Sequence, residues 1–322
     1  MIEIKILHMN EDIKHGLATF LKIVNIATFA IVSLIWKLKL GNLSTEQQYI
    51  LQALAAAVTL LLIIVFFPGI SKTQNRFKVH SIKSYILRAA TNAIGIPAMM
   101  QALKFIGASE VMTIIQLSPV ITAYLAVTLL REKIKINWII ALCFGISGIL
   151  VMLYGNRNQL TISTSSDYFK GIGLAVIAAV SFSCYNIICK KQTEAQDDHF
   201  TQALYCFLFG LLMALPLSVG KWNSITPEET IWVLGSGVIG TLSVVCLFLS
   251  YKFSSVVRMS PHSYLRVIII AITMYIFKDE IPSPELIIAI ILILAGNFCV
   301  VFEKTFYKLF RFNKAERCLN LS

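Results

Sequence analysis

Charged residues are scarce in this sequence: 14% of its 322 residues, against 57% hydrophobic and a mean hydropathy of +0.75. A water-soluble fold needs far more surface charge, so that class is excluded and a bilayer is the expected solvent. No Cys-x-x-Cys pair occurs among the seven cysteines, which sit mostly in apolar stretches. Neither a disulfide framework nor a metal set is implied, and no cofactor is expected. The first 14 residues hold Glu3, Glu11 and Asp12 without a cleavage-site pattern, so no removable signal peptide is expected, and Met9 is an alternative start. Polar-apolar alternation is lacking too: Ala53 to Phe67 and Leu286 to Val301 are apolar at nearly every position, which excludes a β-barrel. A membrane enzyme would need clustered carboxylates or a nucleophile with its base. The nearest approach is Asp197-Asp198 beside His199, residues typical of a solvated turn.

What the chain does have is apolar length. A helix crosses the hydrocarbon core with roughly 20 residues, and such windows fall at 17–36, 48–67, 83–103, 108–130, 137–154, 170–189, 201–219, 230–250, 258–277 and 285–302. The expected fold is an all-α integral membrane protein of ten transmembrane helices. Basic residues gather in alternate connections, as in Lys72, Arg76 and Lys78, in Arg131, Lys133 and Lys135, and in the tail Lys304, Lys308 and Arg311. That bias puts both termini in the cytoplasm, and the overall excess of 28 Lys and Arg over 17 Asp and Glu reflects topology and anionic lipid, with no nucleic acid as partner.

A stretch in the middle of the chain returns 148 positions later. Lys104-Phe105 recurs as Lys252-Phe253, Leu117 as Leu265, Ala123 as Ala271, Glu132 as Glu280, Ile139-Ile140-Ala141 as Ile287-Ile288-Ala289, and Gly148 as Gly296. The polar run 156–167 is the linker between a first repeat at 15–155 and a second at 168–304, flanked by a cytoplasmic tail at 1–14 and a basic tail at 305–322. Five helices per repeat is an odd number, so the second must enter from the opposite side. Inverted repeats of this kind belong to secondary transporters, whose substrate sits where the halves meet.

Charge in mid-membrane is the best pointer to chemistry, because an ionised side chain there costs at least about 2.5 to 3.5 kcal/mol. Arg266 falls near the middle of the ninth window; its guanidinium suits a carboxylate held by two hydrogen bonds, and a structural ion pair uses the same residue type. His262 lies one turn earlier and Tyr264 between them; a histidine there serves proton coupling or a backbone hydrogen bond. The repeat places Gln116 opposite Tyr264 and Ser118 opposite Arg266, with Thr113 on the face of Gln116. Pro119 removes a backbone hydrogen bond in mid-span. Asn92, ahead of Gly95 and Pro97, and Tyr185 complete the polar set. Lys22 and Arg88 lie near enough to helix ends to reach headgroups with their long stems, and Glu132 and Glu280 read as capping groups at helix connections.

The run Ala102-Leu103-Lys104-Phe105, then Ser109 to Leu117, Pro119, Glu132 and the Gly145/Gly148 pair resembles the EamA-type half of the drug/metabolite transporter superfamily, with a second copy from Tyr251 through Glu280 to Gly296. The resemblance implies a multi-pass protein of the bacterial inner membrane that moves a small-molecule substrate by alternating access, with a proton or an exchanged solute as coupling partner. Efflux of amphipathic compounds is the alternative it leaves open. Within the superfamily, Ser260 to Leu265, Phe277, Glu280, Pro282 and Glu303-Lys304 resemble S-adenosylmethionine uptake carriers. Ser263 stands where that group has an arginine and Arg266 where it has an acidic residue, which weakens selection for a sulfonium cation.

Overall fold

A computed structural model describes residues 11–66, 79–105, 111, 114–155, 165–195, 198–266, 268–269, 272 and 284–301. The described chain is helical: α1 Glu11–Lys39, α2 Thr45–Phe66, α3 Ile82–Phe105, α4 Ser118–Leu129, α5 Ile136–Gly155, α6 Ser165–Glu194, α7 His199–Ala214 with a 3-10 turn Leu215–Ser218, α8 Pro227–Phe253, α9 Val256–Met259 with a 3-10 turn Pro261–Tyr264, and α10 Pro284–Val301. Among the described residues five stretches are long and apolar enough to cross a membrane, namely Ile13–Trp36, Thr45–Phe66, Asp167–Glu194, His199–Ser218 and Pro227–Phe253. Thr113, the linker from 156 to 164, both tails beyond 11 and 301, and Glu280 lie outside the described residues.

Local chemistry sets the helix boundaries. Thr226 and Glu229 form a reciprocal capping box with Pro227 in the first turn of α8, and Asp198 accepts from the Thr201 backbone N–H at 3.0 Å to open α7. Two helices expected to be continuous are broken. The fourth restarts at Ser118 with Pro119 in its first turn, and the ninth opens with the single turn of α9, passes through the 3-10 turn at Pro261 and is helical again at 265–266, 268–269 and 272. Proline lacks the N–H that would continue the ladder and its ring crowds the preceding carbonyl, so the break falls where proline stands. In contrast, α3 runs on through Pro97.

Helix pairs repeat across the two halves. α3 packs along α6 as α1 packs along α8; α2 meets α8 as α7 meets α3; α2 lies on α7, α5 on α10, and α9 on α4. Moving five places along the helix order turns each pair into another pair of the set. The contact between α5 and α10 displays this residue by residue. A Cβ on Gly148 would lie 2.9 Å from the carbonyl oxygen of Ala289, and a Cβ on Gly296 2.9 Å from that of Ala141; Gly148 and Gly296, like Ala141 and Ala289, are partners in the 148-residue repeat. Small residues matter here because helices in lipid associate through close packing and hydrogen bonds rather than through hydrophobic exclusion. Between α1 and α8 the hydrogen-bonding version operates: Asn25 Nδ2 donates to the Ser243 carbonyl at 2.9 Å and to its Oγ at 3.0 Å, and Ser243 Oγ donates to the Asn25 carbonyl at 3.0 Å.

Gly148→Val and Gly296→Val are therefore expected to lower the thermal unfolding midpoint of the detergent-purified chain, each costing about 1 to 3 kcal/mol as overpacking. Gly173→Ala, where nothing lies within 4 Å of an added Cβ, is expected to leave it unchanged. Equal effects at the two kinds of position would contradict this packing.

Candidate functional site

Three cations lie inside the helix bundle. Lys22 of α1 is 4% exposed and Arg88 of α3 is fully buried, which corrects the expectation that both reach out to headgroups. The reason differs for each. α1 begins at Glu11, six residues earlier than its apolar window, so Lys22 stands about 9 Å deeper than that window implies at 1.5 Å per residue. Arg88 is near a helix end as expected, but its face of α3 is turned onto α6 and α7.

Arg88 is held from every side. Its Nη1 donates to Gln192 Oε1 and, at 3.8 Å, to the Cys189 sulfur; Nη2 donates to the Gln202 carbonyl at 2.6 Å. Three aromatic rings surround the guanidinium, with centroids 4.7 Å (Phe248), 5.4 Å (Tyr85) and 5.7 Å (Tyr185) away. Cation–π attraction offsets part of the desolvation of the charge, and Gln192, anchored in turn to Ser84 Oγ at 3.0 Å, orients the fork. This is a built socket, complete without a ligand except at Nε.

Lys22 and Arg266 are accommodated differently. Lys22 Nζ has the Tyr251 hydroxyl at 3.5 Å and the Tyr251 ring centroid at 5.2 Å. Arg266 is partly exposed; its guanidinium stacks 4.4 Å from the centroid of Phe29 on α1, and its Nε is buried with no hydrogen-bond partner. The two charges are close enough to repel one another, and His262 lies within electrostatic reach of Lys22. His262 is 1% exposed, with the backbone of Arg258 and Met259 beside it and no well-formed hydrogen bond at either ring nitrogen. The 3-10 turn at Pro261 brings this about by laying the start of the ninth segment against α1, α4, α5 and α10 together.

The nearest carboxylate is already engaged. Glu132, in the connection after α4, accepts from the backbone N–H groups of Val256 at 3.0 Å and Val257 at 2.9 Å, which makes it the cap of α9. On the neighbouring helix end, Lys190 donates to the carbonyls of Tyr251 at 2.8 Å and Ser254 at 3.3 Å and pairs with Glu194 at 3.6 Å. Among the described residues no acid neutralises Lys22 or Arg266.

The other residues expected at the site disperse. Tyr264 is fully buried, its ring pressed on α5 so closely that a Cβ on Gly145 would lie 2.2 Å from it, and its hydroxyl has no partner. Ser118 accepts from Ser183 of α6, at 3.0 Å through its carbonyl and 3.1 Å through its Oγ, so it joins helices. Gln116 is buried at the break before α4. Tyr185 belongs to the Arg88 socket and lies 3.6 Å from the Cys206 sulfur. Asn92 donates to the Tyr49 hydroxyl at 3.4 Å and lines a small cleft with Thr45, Pro97 and Leu217, about 10 Å³ in volume and so sized for one water molecule. Sequence reasoning missed Lys22, Phe29 and Tyr251 as a group; the charge of Lys22 inside the first apolar window was the one available signal.

Comparison with known proteins bears on this arrangement. The profile of the EamA-like transporter family matches residues 16–154 and 169–302. Two S-adenosylmethionine uptake transporters are similar over the same extent, that of Rickettsia prowazekii at 22% identity over 77% of this chain and 80% of its own length, and that of Rickettsia bellii at 23% over 77% and 81%. An uncharacterised transporter of Helicobacter pylori is 21% identical over 74% of this chain and 79% of its own. A crystal structure shares the fold with a TM-score of 0.72 at 18% identity, covering 88% of this chain and 96% of that one.

Replacing Arg88 is expected to act on stability. Arg88→Met strands Gln192 Oε1 and the Gln202 carbonyl in a buried site, at about 1 to 3 kcal/mol per unsatisfied group, and Arg88→Lys recovers little of it because an ammonium lacks the planar fork. Thermal unfolding of the purified variants checks this, and a fully rescuing lysine would count against the socket.

Proposed function

We propose, from the premise that this chain belongs to the EamA-like transporter family, that it is a secondary transporter carrying a small carboxylated polar metabolite across the cytoplasmic membrane by alternating access. Its non-enzymatic character and multi-pass membrane setting are those of its transporter relatives. Two inverted repeats of five helices, 15–155 and 168–304, form the moving halves, with both termini in the cytoplasm. The exchange of packing partners between halves and the reciprocal seating of Gly148 and Gly296 support that arrangement. The breaks before Pro119 and at Pro261 fall at repeat-related places, and discontinuous helices are where such carriers bind substrate, because a broken ladder frees backbone groups.

One observation carries the assignment: Arg266 stacks its guanidinium on Phe29 inside the bundle, with its Nε buried and unpartnered and, among the described residues, no carboxylate beside it. A cation kept in a low-dielectric interior without a protein counter-ion is stabilised when a substrate carboxylate supplies one, and a planar fork binds that group with two parallel hydrogen bonds. His262 lines the same place as the candidate for proton coupling. Gln116, at the break before α4, lines the opposite side, with Ser118 holding the break to α6, Tyr264 fixing the ninth segment on α5, Tyr185 steadying Arg88, and Asn92 guarding the far cleft.

The similarity to S-adenosylmethionine carriers makes that molecule the second reading. It carries a sulfonium and an ammonium charge along with its carboxylate, and Lys22 beside Arg266 disfavours such a net cation.

Uptake into proteoliposomes tests the assignment with amino acids, dicarboxylates and S-adenosylmethionine as solutes. Arg266→Gln is expected to reduce carboxylate uptake at least about tenfold, since the lost charge-assisted pair is worth about 1.5 to 3 kcal/mol. Arg266→Lys should retain part of the activity. Transport that ignores both substitutions would remove Arg266 from the mechanism.

A further inference from the structure

Lys22 is the group that the carboxylate site does not absorb. Its ammonium lies inside the bundle, about 14 Å along α1 from Ile13 at 1.5 Å per residue, too deep to be explained as a headgroup contact. An ammonium has three protons to donate, yet among the described residues its one hydrogen bond, to the Tyr251 hydroxyl, is at the 3.5 Å limit of such an interaction. Its surroundings are the Tyr251 ring, the Cys189 thiol, His262 and the like charge of Arg266. Arg88 shows what this fold does with a cation whose role is structural: it surrounds the charge with two strong acceptors and three rings. Among the described residues no such socket surrounds Lys22.

Facing groups on the adjoining elements do not change the balance. α6 contributes Lys190, which is spent on the carbonyls at the end of α8 and on Glu194. The connection after α4 contributes Glu132, whose two oxygens cap α9. The ninth segment contributes Arg258 and His262. Lys22 and the Phe29 ring that carries Arg266 stand two turns apart on one face of α1, and two cations so placed that share no acid among the described residues leave room for two negative charges, so that one singly charged carboxylate would neutralise only half of the site.

We infer that Lys22 is the second cation of the Arg266 site and that the transported solute is a dianion, either a dicarboxylate or a phosphate monoester. The inference rests on the carboxylate reading of Arg266 and narrows it: amino-acid zwitterions and S-adenosylmethionine become poor substrates, while the Tyr251 hydroxyl, already within reach of Lys22, is placed to donate to a second anionic group.

Binding to the purified full chain in lipid nanodiscs separates the possibilities, with succinate, its monomethyl ester and glycerol phosphate as probes. Succinate and its monoester differ by one charge at nearly equal size. Wild type is expected to favour succinate over the monoester by at least about tenfold, equivalent to roughly 1.4 kcal/mol. Lys22→Gln should collapse that ratio toward one, and Lys22→Arg should restore it, which a merely structural lysine would not do. Preference for glycerol phosphate over succinate identifies the phosphate class of dianion, and the reverse identifies the dicarboxylate class. If wild type binds the monoester as tightly as succinate while Arg266 remains necessary, the second-cation role is overturned and the carboxylate reading stands. If the ratio survives in Lys22→Gln, Lys22 is likewise excluded. A wild-type chain that binds none of these anions, with uptake indifferent to Arg266→Gln, removes the earlier reading and this one together. The wild-type comparison decides the matter even where Lys22→Gln fails to fold.

Discussion

Positive charge held inside an apolar bundle with no acid beside it among the described residues is the constraint around which this chain is arranged. Lys22, Arg88 and Arg266 each carry a desolvation cost that a bilayer protein meets only with partners or water. For Arg88 the partners are amide, carbonyl and aromatic groups drawn from α3, α6, α7 and α8, so the charge becomes a joint that locks four helices at one end. For Lys22 and Arg266 the partners among the described residues are one hydroxyl and two aromatic rings, and the proposed anion would use the remaining capacity. The contrast within one molecule separates a structural cation from a receptive one.

The two broken segments place that receptive pair. Had the ninth span been one straight helix, residues 256 to 266 would climb without interruption. The interruption at Ser260 and Pro261 instead converts the turn that follows to 3-10 geometry, with its longer rise per residue and tighter winding. His262 and Arg266 thereby meet α1 while Tyr264 is driven into the notch left by Gly145. Glu132 holds the start of the same segment by its backbone N–H groups, so a residue of the first half fixes the geometry of the second. Close glycine contacts between α5 and α10 stiffen the frame behind it.

Much of this was legible in the residues. The helix boundaries follow the apolar windows closely, because a bilayer imposes a length on every crossing. Ser283-Pro284-Glu285 marks the start of α10, and Asp198 opens α7 as its residue type suggests. Arg266 stood out because charge in mid-span is rare. The shared environment of Lys22, Phe29, Tyr251 and Arg266 was not legible, since these residues come from both ends of the chain and no spacing rule connects them. Tyr264 and Asn92 were legible as polar groups in apolar helices, but the direction each faces was not.

By itself, then, the sequence determined the membrane setting, the helical class, the internal repeat and the prolines at which a helix can break. Each of these depends only on composition, on spacing along one chain or on the missing N–H of an imino acid. Tertiary structure alone decided which face of each helix turns inward. A helix that is apolar all the way round carries no stripe to mark its buried side, and in lipid both sides are equally welcome to a leucine, so close approach at small residues and the pairing of a few polar groups make the choice.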